Sequence, residues 1–349
     1  MTLTTAFFTR LLEDATPAQR YAYALEQIQT AERNGIGRAW VAQHHFRAAE
    51  GGLPSPLVFL AHAAAQTSRI RLGTGIITLP LEDPVRVAED ATVADVLSQG
   101  RIDLGLGSGG TPSSFLPFGQ SVADKASVYD RKLGVLLDAL NGEDIGAGNT
   151  LYPDAASADP DAAGLASRIW QATFSTYGGT RAGQLGHGLL LSRTQPRREL
   201  DPYTALSALQ LPIIDAYLDA LPASAEPRIT ASRTVFVADD RATALRFAEV
   251  GLRRGAESLR RQGQEFPDDS LEALITLTDT HLGTPDEVAE TLAADRTLDR
   301  ATEIAFQVHS VDAPHEHVLR SIELFAQQVA PALGYRTETS SALSGKENS

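Results

Sequence analysis

Two hydrophobic periods alternate along this chain. Short runs dense in apolar, β-branched and aromatic residues occur at Thr4–Thr9 (TTAFFT), Arg38–Ala42, Ile70–Leu79, Ile102–Gly107, Arg168–Ser175, Gly188–Ser192, Arg228–Val237 and Ala301–Val308. Runs of this length, bounded by turn residues, read as buried strands. Between them the apolar positions recur at helical spacing. Pro17 opens the first such stretch, Tyr21, Leu25, Ile28 and Ala31 follow one face, and Asn34-Gly35 ends it. Further helices are predicted over about 56–66, 84–97, 123–140, 180–186, 203–220, 242–262, 271–278, 285–294 and 314–333. Strands separated by helices form parallel βαβ units. Eight strands in this order predict an α/β fold, a (β/α)8 TIM barrel with loop insertions at the carboxyl-terminal rim. Residues 1–335 are expected to form one barrel domain, and the polar, Ser- and Thr-rich tail at 336–349 is expected to fray. The Gly-, Asp-, Ala- and Pro-rich stretch from Asn141 to Leu165 is expected to pass over the rim. Loops 111–122, 141–166 and 264–280 are expected to shape the substrate pocket.

Composition narrows the partners. Hydrophobic residues make up 43% of the 349 and charged residues 21%, as in ordinary globular proteins. There is no cysteine, which excludes disulfides, thiolate metal sites, iron–sulfur clusters and cysteine nucleophiles, and suits a reducing cytoplasm. A net charge of −14 speaks against nucleic acid or an anionic membrane as partner. The opening MTLTTAFFTRLLED does not read as a signal peptide, and no apolar run approaches the ~20 residues a membrane span needs.

In such a barrel the chemistry belongs where strands end on the carboxyl-terminal face. Gln43-His44-His45 closes the second strand. Strand alternation would turn one of the two histidines to the mouth, where an imidazole can move a proton near neutral pH. The plainer alternative is a rim histidine bonded to a loop carbonyl. The other histidines are scattered without ligand spacing, so no metal is expected. Gly105–Gly110 fits GxGxxG but runs into Thr-Pro-Ser-Ser instead of a helix, so a dinucleotide fingerprint fails on context. It reads as a flexible strand end that lets a large ring approach the backbone. Ser175-Thr176-Tyr177-Gly178-Gly179-Thr180 lies between a strand and a helix. It offers N–H groups and a positive dipole end to a phosphate, or simply a helix cap. Thr74-Gly75 places a glycine inside a strand, for a ligand approach or for packing. Arg193, in Ser192-Arg193-Thr194, can supply cationic donors to an anionic ring, or form a surface salt bridge.

Trp40–Phe46, Gly73–Asp90, Ser98–Gly107, Phe118-Gly119, His281–Val288 and the helix at Leu324–Leu333 resemble the bacterial luciferase-like flavin monooxygenases, in order and over nearly the whole chain. The resemblance implies FMN at the carboxyl-terminal mouth of the barrel. It implies that His44 serves the flavin–oxygen chemistry, that Thr74-Gly75 is the pair carrying a non-prolyl cis peptide beside the isoalloxazine in many members, and that Ser175 and Thr176 bind the phosphate. Ser108 falls where the luciferase has an arginine near the phosphate, and Arg193 where it has a tryptophan by the ring. Phe174 replaces a glutamate, as does Gln43. These departures speak against light emission and an aldehyde pocket. The implied activity is that of a two-component monooxygenase: a separate flavin reductase supplies reduced FMN, and O2 and a small organic substrate complete the reaction, with a homodimer as the common assembly. A deazaflavin-dependent oxidoreductase on the same barrel and a non-catalytic flavin-binding protein are the rivals. An aldolase-type barrel, ranked last, would need a Schiff-base lysine or a carboxylate base, and Lys125, Lys132 and Lys346 do not lie at strand ends.

Overall fold

A computed structural model describes residues 2–158, 164–197, 200–261, 265, 266, 268–309 and 311–337. Its strands are β1 (Thr4–Thr9), β2 (Arg38–Val41), β3 (Arg71–Thr74), β4 (Ile77–Thr78), β5 (Ile102–Gly107), β6 (Ile169–Ala172), β7 (Gly188–Leu191), β8 (Ile229–Val237), β9 (Thr280–Gly283) and β10 (Glu303–Gln307). Every pairing is parallel, and β10 joins both β1 and β8, so β1, β2, β3, β5, β6, β7, β8 and β10 close into the expected eight-stranded barrel. The long β8 serves three neighbours: Ile229–Ala231 pair with β7, Thr230–Thr234 with β10, and Thr234–Val237 with β9. The helices are α1 (Pro17–Arg33), α2 (Pro56–Ala64), α3 (Pro84–Leu97), α4 (Lys125–Leu140), α5 (Thr176–Gln184), α6 (Leu206–Ala220), α7 (Arg241–Arg261), α8 (Leu271–Leu277), α9 (Pro285–Ala293) and α10 (His315–Leu324). Proline stands at the start of α1, α2, α3 and α9, and the Thr16–Gln19 and Thr284–Glu287 pairs form capping boxes. Among the described residues no helix is long and apolar enough to cross a membrane.

Five expectations change. The third strand is two pieces, β3 and β4; at the end of β3 the Thr74 hydroxyl accepts from the Gly105 N–H (2.9 Å) and donates to the Gly105 carbonyl (2.8 Å). β9 is additional; at four residues between two helices it carries too short a pattern to read. α5 begins at Thr176, not Thr180, since Ser175 caps it. The stretch after Asn141 joins the carboxyl end of α4 to the start of β6, so it belongs to the amino-terminal end of the barrel and not to the rim. The tail does not loosen at 336: the Arg336 N–H donates to the Leu3 carbonyl at 2.7 Å and Arg336 bridges Thr4 beside β1, while 338–349 lie outside the described residues.

The barrel interior has a charged floor. Arg38 opens β2 and points inward, where it pairs with Asp103 of β5 (3.0 Å) and with Glu303 of β10. Asp103 also receives Arg71 (2.7 Å) and the Trp170 indole N–H (3.3 Å). Glu303 receives the Trp40 indole N–H (3.1 Å) and the Thr230 hydroxyl (2.8 Å). The two indoles meet edge to face at 5.5 Å, with the Arg38 guanidinium 5.3 and 4.9 Å from their rings. Gly73 and Gly188 make room for these rings: a Cβ on either would stand 2.3 Å from Trp40 or 2.1 Å from Trp170. Burial opposes ionisation of Asp103, but Arg38 and Arg71 outweigh it and hold the carboxyl below its usual range. Removing one partner of such a group strands the rest. Asp103→Asn should therefore destabilise the fold by about 3–5 kcal/mol. Urea unfolding would check this, and a loss under about 1 kcal/mol would contradict it.

Candidate active site

Above this floor the strand ends open into a cavity of about 1440 Å3. Phe8, Trp40, Leu190 and Ala305 form its base, and the segments following β1, β2, β3, β5, β6 and β7 form its walls. Pockets for a single small ligand are typically ~300–1,000 Å3, so this one has room for a large cofactor and a further molecule.

One wall is a polar cradle. β5 runs into Ser108, Gly109 and Gly110, which line the cavity, and then into single 3-10 turns in place of a helix. Gly109 has φ +78°, a Cβ there would stand 2.5 Å from Thr78, and its carbonyl accepts the Lys125 ammonium at 2.8 Å. Beside it lies the start of α5, where the Ser175 hydroxyl accepts the Gly178 N–H at 3.2 Å. Thr176 and Tyr177 open the helix, so their N–H groups have no partner within it. Gly178 lies so close to Thr173 that a Cβ would stand 2.0 Å from its hydroxyl. Arg181, one turn on, also lines the cavity; it donates to Gln171 (2.8 Å) and to Asp130, and lies 4.5 Å from the Tyr129 ring.

Six of the nine residues singled out from the sequence line this cavity: His44, Gly75, Ser108, Ser175, Gly178 and Arg193. Three do not. Thr74 is buried, with its hydroxyl bonded to Gly105 as a strand bridge. The Thr176 side chain is exposed, leaving only its backbone to the cradle. Gly179 faces α6, where a Cβ would stand 2.6 Å from the Ile213 carbonyl, so it is a helix-packing position. The cis bond is Gly75–Ile76, one bond later than the Thr74–Gly75 pair, and Gly75 packs on Phe8.

The opposite wall carries His44. β2 ends at Val41, so strand alternation no longer governs the histidines, and both His44 and His45 line the cavity. His45 packs edge-on to Phe118 at 4.8 Å. The His44 ring rests on Gly51, where a Cβ would stand 2.4 Å from its Cδ2, and its backbone N–H donates to Leu53. Gln43 bonds to the Thr78 N–H, the Pro54 carbonyl and Glu82, so it braces the rim. Burial, with smaller contributions from Arg10 and His45, pushes the His44 imidazole down to about 3, so it is neutral near pH 7. Arg10 is a residue the sequence reading passed over. It is the first residue after β1, it lines the cavity, and it donates to the Glu50 carbonyl. Arg193 is pushed down to about 9 by burial and by Arg10, against the pull of Asp279. Among the loops, 111–122 and 264–280 contribute lining residues, such as Phe115 and Thr278, whereas among the described residues 141–166 contributes none.

These residues fit a flavin mononucleotide. The cradle offers backbone N–H groups, hydroxyls and cations suited to a phosphate, and Gly75 and Gly107 line the cavity beside it. Residues 1–303 match the family described as luciferase-like monooxygenase, and the chain belongs to that family and is an enzyme of the monooxygenase class. It is 31% identical to 4-hydroxyprotoasukamycin monooxygenase from Streptomyces nodosus subsp. asukaensis, over 88% of this chain and 85% of that protein. In fold it is similar to the oxygenating constituent of 3,6-diketocamphane monooxygenase from Pseudomonas putida, a type II Baeyer–Villiger enzyme solved in complex with FMN. The TM-score is 0.70 and the identity 18%, covering 95% of this chain and 98% of the other. It is also similar to the coenzyme F420 dependent tetrahydromethanopterin reductase from Methanopyrus kandleri, with TM-score 0.65 and 18% identity over 95% and 100% of the two chains.

The depressed His44 value has a measurable sign. The folded value, about 3, lies below the ordinary 6.5, so as pH falls the unfolded chain takes up this proton first. The stability tied to neutral His44 is complete above the ordinary value and is lost as pH falls toward the folded one. Between about pH 7 and about pH 5 the unfolding midpoint of His44→Asn should fall less than that of wild type. Parallel curves would contradict this.

Proposed function

We propose that this chain is the oxygenating component of a two-component, FMN-dependent monooxygenase that acts on a small organic substrate in the cytoplasm, with reduced FMN supplied by a separate flavin reductase. The observation that carries the reading is one cavity with a polar, cationic cradle on one wall and a neutral, half-buried histidine with Arg10 nearby on the other. The FMN-bound relative, described as an oxygenating constituent, supports both the cofactor and the division of labour.

Reduced FMN, when bound, supplies the chemistry that activates O2 and passes one oxygen atom to the substrate. The chain's residues do the rest. Ser108, Ser175, Gly178 and the first N–H groups of α5 hold the phosphate, with Lys125 and Arg181 adding positive charge. Thr74 and Gly179 support that wall from behind, and Thr176 contributes its backbone. Gly75 lets the ring lie against the wall. Arg193 offsets negative charge on the reduced ring. Phe8, Ile76 and Leu190 exclude water from below. His44, being neutral, would hold or move a proton through its imidazole nitrogens. Val58 of α2 and Val93, Val96 and Leu97 of α3 are exposed, and we assign this face to a homodimer contact; a single-copy mass in sedimentation would remove that part.

The F420-dependent neighbour favours a second reading, a deazaflavin oxidoreductase, for which F420 would bind more tightly than FMN. A non-catalytic flavin carrier would bind FMN without substrate-dependent O2 uptake. His44→Ala should keep FMN affinity within about twofold and lower coupled oxygenation by 10²–10⁴-fold, roughly the worth of one positioned proton-transfer group. Oxygen consumption matched to product formation measures this, and unchanged coupling would remove His44 from the mechanism.

A further inference from the structure

The cradle wall has a second layer behind it. Arg181 of α5 lines the cavity, and its guanidinium is held from two sides. Nη1 pairs with Asp130 of α4, and Nε donates to Gln171 Oε1 at 2.8 Å. Among the described residues only these two nitrogens of Arg181 have hydrogen bonds, which leaves Nη2 for a ligand. Asp130 holds one corner from a side chain that is partly exposed. Gln171 supplies the second anchor, and two anchors fix the plane of a rigid guanidinium.

Gln171 does not line the cavity. It follows Trp170 of β6, whose indole points into the barrel, so strand alternation turns the carboxamide outward, under α4 and α5. There it is wholly buried, so its polar atoms need partners. Oε1 also accepts the Tyr129 hydroxyl at 3.4 Å. Nε2 lies 2.9 Å from Nδ1 of His187, the buried residue just before β7.

The chemistry of these partners fixes which way the carboxamide points. A guanidinium only donates, so Arg181 takes the carbonyl oxygen. The N–H donors of Gln171 then face His187, whose Nδ1 has to accept. An imidazolium cannot accept, so His187 is neutral and carries its proton on Nε2. Its surroundings agree with this: burial, with smaller contributions from Arg228 and Arg181, pushes the imidazole down to about 4. His187 thus orients Gln171, and Gln171 orients Arg181.

We infer that Gln171 and His187 are positioning residues for the flavin phosphate: they hold the Arg181 guanidinium with Nη2 left for the phosphate, although neither of them lines the cavity. This deepens the FMN reading and rests on it.

FMN and riboflavin differ only in the phosphate, so the ratio of their affinities isolates the cradle. Both oxidised flavins would be titrated into the wild-type protein and its variants, with binding followed by flavin fluorescence. Wild type should bind FMN more tightly than riboflavin. Gln171→Leu should weaken FMN binding about tenfold or more, the scale of a lost hydrogen bond to a charged group, and leave riboflavin binding within about twofold. Arg181→Gln should act in the same way, and the double variant should lose no more than Arg181→Gln alone, because both act through one guanidinium. His187→Leu should also weaken FMN binding. His187→Asn, whose Oδ1 supplies an acceptor in place of Nδ1, should bring FMN affinity back to within about threefold of wild type. Equal losses for FMN and riboflavin in Gln171→Leu, additive losses in the double variant, or no recovery in His187→Asn would overturn the inference while wild-type FMN binding stands. A wild type that binds neither flavin, or binds both equally, would instead overturn the FMN reading beneath it.

Discussion

Inside the barrel Arg38 lies between two indole rings and two carboxylates, and everything above it is built on that cluster. Ionised groups removed from water are tolerated only when each finds partners. Arg38, Arg71, Asp103 and Glu303 satisfy one another, and Trp40 and Trp170 close the gaps with their N–H groups on the same carboxylates. These residues come from β2, β3, β5, β6 and β10, so one cluster ties together strands distant in sequence. Bulky rings at this level also decide the local sequence, since Gly73 and Gly188 leave the space they fill. The floor stops the barrel from being packed to its mouth by side chains, and the cavity begins where the floor ends.

The cavity is electrically uneven. Its cradle wall offers helix-start N–H groups and hydroxyls beside Lys125 and Arg181, while elsewhere Arg10 acts on both the neutral His44 imidazole and Arg193. A chain with net charge −14 thus concentrates cations in one concave place, which draws an anionic ligand inward. The same burial that depresses Arg193 and His44 would strengthen any hydrogen bond they make to a ligand. Residues that touch no ligand contribute as well: Gln43 fixes the rim between Thr78 and Glu82, and Gly51 sets the tilt of the His44 ring.

Much of this is legible in the sequence because period and position are local signals. The strands of the ring follow from apolar runs, and His44 and Arg193 follow from the rule that chemistry sits at strand ends. The same rule points to Arg10, the residue after TTAFFT, although no motif marks it. What is not legible depends on distant partners. Arg181 lies in the middle of a helix, and only folding turns it back toward Gln171 of β6. Gly178 and Gly179 look alike in sequence, yet one faces the cradle and the other the Ile213 carbonyl of α6. Thr74 looks like a ligand position until its hydroxyl is seen bridging β3 to β5. The 141–166 stretch has the composition of a rim loop, and only the direction of α4 places it at the other end of the barrel.

The central proposal is that the mouth of this barrel binds reduced FMN above the floor that holds Trp40. The chain has two tryptophans, both in the barrel interior, and Trp40 lies at the base of the cavity. An anaerobic titration of the wild-type protein with reduced FMN, and separately with reduced F420, followed by tryptophan fluorescence, tests this directly. Saturable quenching by reduced FMN at lower concentrations than by F420 is the predicted result. Quenching by F420 alone, or by neither, would contradict it.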